Sequence, residues 1–289
     1  MIPAPFDYLT PQTLDEAIRL LAAHGEDAKL LAGGHSLLPL MKLRLVNPKI
    51  LIDVSRISGL SGIRQEGDQI IIGALTTHYE IESSELLKKS CPLLSETAKT
   101  IGDVQVRNRG TIGGSLAHAD PAADLPAAII ALGGELRLTG SEGERWVKGE
   151  DFFIDIMTTA LKSDEIITEV RVPVRAGRCG SAYLKMAQKA SGFAIVGVAV
   201  WIKIEDKTCA DIGIGVTGLG VRPFRAKEVE KKLWGKRIDH TFIDADASHV
   251  DQGIDPLDDI HASAEFRAHL ARVYTARAIW QAARKAGLR

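Results

Sequence analysis

Ala32-Gly33-Gly34-His35-Ser36 returns in altered form as Thr111-Ile112-Gly113-Gly114-Ser115, and this pair of glycine–serine turns decides how the rest of the chain is read. Glycine permits positive φ and lets backbone N–H groups approach a ligand with no Cβ in the way, while the closing serine adds a hydroxyl donor. A single Gly-Gly-x-Ser is ordinarily a turn and nothing more. Two matched copies point instead to one anionic guest, a diphosphate gripped from two sides. Lys29-Leu30-Leu31 leads into the first copy, and Gln105-Val106 with Arg107-Asn108-Arg109-Gly110 into the second, so each is expected where a strand empties into a loop. Arg107 and Arg109 have two readings, a contact to phosphate or partner and a solvated charged face.

Around these turns the pattern is mixed helix and strand. Thr13 and Glu16 predict a capping box for a helix carrying Leu14, Ala17, Ile18 and Leu21, with Gly25 as its stop. Residues 30–31, 50–54 and 70–72 read as buried strands. A second unit begins near Gly59, with a capping box at Thr77 and Glu80, helices over residues 93–101 and 125–132, and strands over 135–138 and 165–172. Pro173-Val174-Arg175-Ala176-Gly177 marks the next boundary, followed by a hairpin-like run over 195–204 and 211–216. Residues 263–287 predict an Ala- and Arg-rich helix with Phe266, Leu270, Val273 and Tyr274 on one face, for packing or assembly.

Composition narrows the function. A chain of 289 residues has room for two domains with adequate cores, and 45% hydrophobic with 25% charged residues is ordinary for a globular protein. A net charge of −1 and 5% aromatic residues leave no basic, aromatic-studded stripe for nucleic acid. The N-terminal residues lack a signal-peptide pattern and no apolar run is long enough to span a membrane, so the expected location is cytoplasmic. Cys91, Cys179 and Cys209 are too scattered for a disulfide framework or an iron–sulfur or zinc site, and His35 and His118 read as loop donors. No metal is expected in this chain.

Gly213-Ile214-Gly215-Val216-Thr217-Gly218 fits the dinucleotide fingerprint by letter, but that fingerprint has meaning only at a strand-to-helix turn. Ile212, Ile214 and Val216 alternate with small residues, so a glycine-rich strand is expected there. A Gly-x-Ser-x-Gly elbow and a Walker loop are both missing.

Ala32–Ser36 with Leu37-Leu38-Pro39-Leu40-Met41-Lys42-Leu43-Arg44, and Arg109–Ser115 with Leu116-Ala117-His118-Ala119-Asp120-Pro121-Ala122-Ala123-Asp124, resemble the FAD-binding medium subunit of molybdenum hydroxylases, that of carbon monoxide dehydrogenase most of all. The resemblance covers essentially the whole chain, including residues 165–173 and 185–197. It implies an α+β fold of the PCMH and vanillyl-alcohol-oxidase type, with FAD-binding subdomains over 1–58 and 59–175 and a C-terminal α+β domain over 176–289. It also implies that Ala32, Gly33, Gly34, His35 and Ser36 and Thr111, Ile112, Gly113, Gly114 and Ser115 hold the diphosphate through backbone N–H groups, with Leu31 and Leu37 bordering the first turn.

Further positions follow from the same resemblance. Asp124 matches an acidic residue near the ribityl and diphosphate region, although its place before residue 125 equally fits a helix N-cap. His118 and Asp120 line the same loop. Ile101 and Ile167 match apolar positions against FAD, and both also read as core. Lys185 matches a lysine near the flavin, where a cation would raise the potential by stabilising negative charge on reduction, and otherwise reads as a surface lysine. Phe193 stands where relatives carry a tyrosine on one face of the isoalloxazine; it keeps a π face without the hydroxyl, and it also reads as core after a Ser191-Gly192 turn.

The function implied is electron transfer inside a heterotrimer, in which a large molybdenum-cofactor subunit oxidises substrate and a small [2Fe–2S] subunit relays electrons. FAD here collects them and passes them to an external acceptor, the complex being a dimer of heterotrimers. No catalytic acid, base or nucleophile is expected from this chain. Two alternatives stand beside it, a self-sufficient flavin oxidoreductase of the same fold and a scaffold subunit with an empty cradle.

Overall fold

A computed structural model describes residues 2–175 and 178–288. Ala176 and Gly177, the end of the expected boundary, lie outside the described residues. The first sheet is fully parallel, in the order Asp7–Leu9, Ile50–Asp53, Ala28–Leu31. The helix Leu14–His24 buries Ala17, Ile18 and Leu21, which pack with Ala28, Ile52 and Val54. The Thr13 hydroxyl accepts the Glu16 N–H as expected, but the Glu16 carboxylate turns to the Gln12 N–H at 2.8 Å, so only half of a capping box forms. At Thr77 and Glu80 the box is complete.

The second sheet is antiparallel, ordered Ile63–Glu66, Gln69–Gly73, Ile166–Pro173, Glu135–Gly140, Gly143–Lys148. The third runs Cys179–Ala187, Ala194–Glu205, Thr208–Thr217, Phe224–Arg225, again antiparallel. Between the second and third lies the helix Asp124–Leu132, every residue of it buried. Its composition explains that position: it is apolar on all sides, Pro126 sits in the first turn where no intrahelical N–H is needed, and Gly133 ends it at φ 67°.

The helix sits close on the third sheet because the sheet presents glycine to it. A Cβ on Gly213 or Gly215 would land on the carbonyl oxygen of Ala131 or Ala127. The residues that imitate a dinucleotide fingerprint therefore lie within the strand Thr208–Thr217, save Gly218 just past its end, and two of their glycines serve helix-to-sheet packing. Trp201 closes the contact by donating its indole N–H to the Ala131 carbonyl at 2.6 Å.

Two local expectations are corrected. Residues 104–109 are a helix, Val104–Arg109, and not a strand feeding the second turn, because the Asp103 carboxylate caps the N–H groups of Gln105 and Val106 at 2.8 and 2.9 Å. The long C-terminal helix Ala264–Lys285 buries Arg267, Leu270, Ala271, Thr275, Ala278, Ile279, Ala282 and Ala283, whereas Phe266 is exposed and Val273 and Tyr274 are half-buried. Its small residues face the third sheet, where Gly180 lies directly against the Ala282 carbonyl. Close approach at Gly180 requires the small residues near Ala282, while Arg267, Leu270 and Ile279 fill the rest of the buried face. No described helix is long and apolar enough to cross a membrane.

A Gly215→Ala substitution is expected to lower stability by roughly 1–3 kcal/mol, the usual cost of forcing extra volume into a packed interior. Urea denaturation with an unshifted midpoint in that variant would contradict the proposed helix-to-sheet contact.

Candidate functional site

The first turn leaves the parallel strand Ala28–Leu31 and enters the short helix Leu37–Lys42. Gly34 has φ +75°, and a Cβ there would stand 2.9 Å from a Leu38 methyl, so glycine is required on both counts. Among the described residues, no protein acceptor takes the N–H of Gly33, Gly34, His35 or Ser36. The His35 ring lies 3.1 Å from the Gly33 carbonyl through Nδ1 and is exposed. Leu31, Ala32 and Leu37 are half-buried beside the turn.

The second glycine segment is built differently. Thr111 is the N-cap of the helix Ile112–His118, its hydroxyl accepting the Gly114 N–H at 3.1 Å. Ile112 N–H donates to Thr76 O at 3.0 Å, Gly113 N–H to Ala74 O at 2.8 Å and Ser115 N–H to Thr111 O at 3.0 Å. In the second segment the N–H groups of Ile112, Gly113, Gly114 and Ser115 are thus claimed within the chain, unlike those of the first turn. What the second offers is exposed, glycine-bare backbone at Gly114 and the half-buried Ser115 side chain.

The two segments touch. A Cβ on Gly33 would overlap the Arg109 carbonyl oxygen and approach Gly110 Cα to 3.0 Å. Behind them His78 donates its N–H to Gly110 O at 2.9 Å, and its imidazole lies so close that a Cβ on Gly110 would meet Cδ2 at 2.7 Å. The His78 ring is buried with Nδ1 unpartnered. Burial, with His35 and Arg107 nearby, pushes its pKa down to about 4. Arg107 is committed to Glu82 at 2.7 Å and to the Ile101 carbonyl at 3.0 Å, whereas Arg109 is exposed.

On the far side, residues 118–124 are tied to the third sheet. The Thr217 hydroxyl lies 2.7 Å from Pro121 O and 2.8 Å from Ala123 O, Gly218 N–H donates to Pro121 O at 2.7 Å, and Ala194 N–H to Ala122 O at 3.2 Å. His118 and Asp120 are half-buried on this loop, Asp120 accepting the Ala122 N–H at 2.8 Å. Ile101 is half-buried and Ile167 buried.

Asp124 is not the N-cap; Ala123 holds that position without a side-chain bond. The Asp124 carboxylate instead accepts the Tyr183 hydroxyl at 2.5 Å and pairs with Lys185 Nζ at 3.0 Å, all three side chains being buried. Burial raises its pKa to about 6 against the opposing pull of Lys185 and Tyr183. Lys185 is thus neither a surface lysine nor an uncompensated charge. Phe193 is not core, being 45% exposed.

His78 and Tyr183 escaped the sequence reading. Tyr183 precedes Lys185 by two positions on one strand and so shares its face, a period-two signal. His78 directly follows the Thr77 cap and carries no spacing of its own.

Free amide donors at a half-buried glycine turn, with a bare glycine helix end beside them, fit a diphosphate. Similarity to known proteins agrees. Residues 4–175 match the FAD-binding domain in molybdopterin dehydrogenase, and residues 181–282 the CO dehydrogenase flavoprotein C-terminal domain. The carbon monoxide dehydrogenase medium chain of Hydrogenophaga pseudoflava is 40% identical over 96% of this chain and 97% of its own length. Carbon monoxide dehydrogenase from that organism, lacking the Mo-pyranopterin moiety, superposes with a TM-score of 0.96 at 41% identity, covering 99% of both chains. Quinoline 2-oxidoreductase from Pseudomonas putida 86 gives 0.94 at 33% identity, covering 100% of both.

The chain belongs to the family of FAD-binding flavoprotein subunits of molybdenum hydroxylases. Its fold is the α+β arrangement of that family, and it is the flavoprotein part of an oxidoreductase.

The buried imidazole gives the stability a defined acid limb. Because the folded pKa of His78 lies below the ordinary 6.5, its contribution is present above pH 6.5 and is lost as pH falls through about 4. Asp124, raised to about 6, contributes with the opposite sign, its share falling as pH rises from about 4 through about 6. Between pH 7 and 5 His78 alone is expected to remove roughly 2 kcal/mol. Denaturation of His78→Leu at both pH values checks this: the variant loses markedly less than the parent, and an identical loss refutes the assignment.

Proposed function

We propose that this chain is the FAD-binding electron-transfer subunit of a heterotrimeric molybdenum hydroxylase, with residues 1–58 and 59–175 as its two FAD-binding subdomains and 176–289 as its C-terminal domain. In this reading a large molybdenum-cofactor subunit and a small [2Fe–2S] subunit lie upstream and an external acceptor downstream, in a dimer of heterotrimers. FAD, when bound, supplies two-electron storage between one-electron donors and that acceptor.

The observation that carries the proposal is the set of unclaimed N–H groups on Gly33, Gly34, His35 and Ser36, held against the Arg109-Gly110 backbone. These donors bind the diphosphate, with Gly114 and Ser115 closing on it from the other side. His118, Asp120 and the Asp124 loop border the ribityl chain, Ile101 and Ile167 the apolar parts, and Phe193 one ring face. The chain's contribution is binding, orientation and exclusion of water, and no side chain is asked to act as acid, base or nucleophile.

The medium-chain relative and the structural likeness along the full chain support the heterotrimer. Native mass spectrometry of the tagged chain from its own host tests it. FAD recovered with a large molybdenum-containing and a small iron–sulfur chain is the expected result. FAD on this chain alone would favour the self-sufficient oxidoreductase, and assembled chains lacking FAD the scaffold. Independently, Gly33→Ala is expected to weaken FAD binding at least tenfold in a fluorescence titration, since the added methyl must push the two turns apart. Unchanged affinity would contradict the cradle.

A further inference from the structure

Lys185 stands opposite Gly197 on the third sheet, and its Nζ is placed between two acceptors from different parts of the chain. One is Asp124 Oδ2 at 3.0 Å, at the start of the buried helix Asp124–Leu132; the other is the carbonyl of Gly192 at 2.6 Å. Gly192 belongs to the turn joining the strands Cys179–Ala187 and Ala194–Glu205, which presents Phe193. Inside that turn the Gln188 side-chain oxygen accepts from Ser191 N–H and Oγ, the latter at 2.8 Å, and Gly192 N–H donates to Gln188 O at 2.8 Å. These bonds fix the shape of the turn but not its place on the protein.

Placement comes from elsewhere. A Cβ on Gly192 would lie 3.4 Å from Gly102 Cα, so the turn reaches across to the segment that follows Ile101. Phe193 makes no ring contact with another aromatic among the described residues and is 45% exposed, while its backbone is held within the turn by Gln188 N–H to Phe193 O at 2.8 Å. An aromatic ring held out from a turn with so little packing keeps its position only if the turn is anchored. Ala194 N–H to Ala122 O ties the end of the turn, and the buried lysine anchors its middle, for an ammonium has three donors and can join a carboxylate and a carbonyl at once. Tyr183 orients the carboxylate from its other oxygen.

We propose that Lys185, held by Asp124 and Tyr183, is a positioning residue that pins the Gln188–Phe193 turn and so fixes the Phe193 ring over the flavin. The flavin clause rests on the function proposed above. The pinning clause stands on this chain's own bonds. The role differs from that of a free cation beside the isoalloxazine, since Asp124 balances the lysine's charge within 3.0 Å.

Lys185→Met removes both bonds and leaves Asp124 buried without its counter-charge. The double variant Lys185→Met/Asp124→Asn removes the bonds and keeps the site neutral, so it serves where the single variant fails to fold. Hydrogen exchange of the 188–193 amides in the assembled protein is read for both, with FAD content taken from the absorption spectrum and the flavin's visible circular dichroism recorded. The expected result is at least tenfold faster exchange confined to 188–193 and an altered flavin dichroic band at full FAD content, with Lys185→Arg restoring both. Parent-like exchange in a folded variant overturns the pin. Faster exchange with an unchanged dichroic band overturns the placement of Phe193 over the flavin. Absence of FAD from the parent protein would strike the functional reading, while the exchange experiment would still decide the pin.

Discussion

The backbone contact between Gly33 and the Arg109-Gly110 peptide is the constraint on which the rest of the site depends. The first turn belongs to a parallel sheet and the second to a helix that follows the short helix Val104–Arg109, so nothing in chain connectivity makes them neighbours. They meet because Gly33 carries no side chain at the point of approach, and Gly110 leaves room for the His78 ring behind. His78 reinforces the contact from behind with a backbone donor and a buried ring, at the cost of an unpartnered nitrogen. That orphaned atom and its low pKa mark a place where packing has been preferred to hydrogen-bond satisfaction.

The C-terminal sheet serves the site as well as its own core. Thr217 and Gly218 hold the loop that follows the second glycine segment, and Gly213 and Gly215 let the sheet approach the helix that begins at Asp124. Tyr183 and Lys185 reach that helix from the same strand face. A residue pattern that reads as a hairpin with surplus glycines is, in three dimensions, the brace of the cofactor-binding part.

The local elements were legible in the sequence where one physical signal dominated. The Thr77–Glu80 box, the uniformly apolar run from Leu125 and the alternating strand through Ile212, Ile214 and Val216 each follow from capping, burial or period-two patterning. The helix Val104–Arg109 was not legible, because a six-residue segment with two valines and two arginines has no apolar periodicity and is fixed by the Asp103 cap alone. The C-terminal helix misled for the opposite reason: Phe266 and Val273 drew attention, whereas the buried face mixes Arg267, Leu270 and Ile279 with the small residues that meet the sheet at Gly180. In the site, the glycine turns were visible as motifs, whereas the free amides of one and the committed amides of the other depend on partners such as Thr76 and Ala74. Asp124 with Tyr183 and Lys185 joins residues some sixty positions apart, a distance at which local pattern carries no information.

A crystal structure of the FAD-loaded protein is the most direct test of the central claim. The account predicts diphosphate oxygens within ordinary hydrogen-bond distance, about 2.7–3.2 Å, of at least two of the amide nitrogens of Gly33, Gly34, His35 and Ser36, with Gly33 still seated against the Arg109 carbonyl. A diphosphate bound away from those amides, or a cradle whose two glycine segments separate on loading, would contradict it.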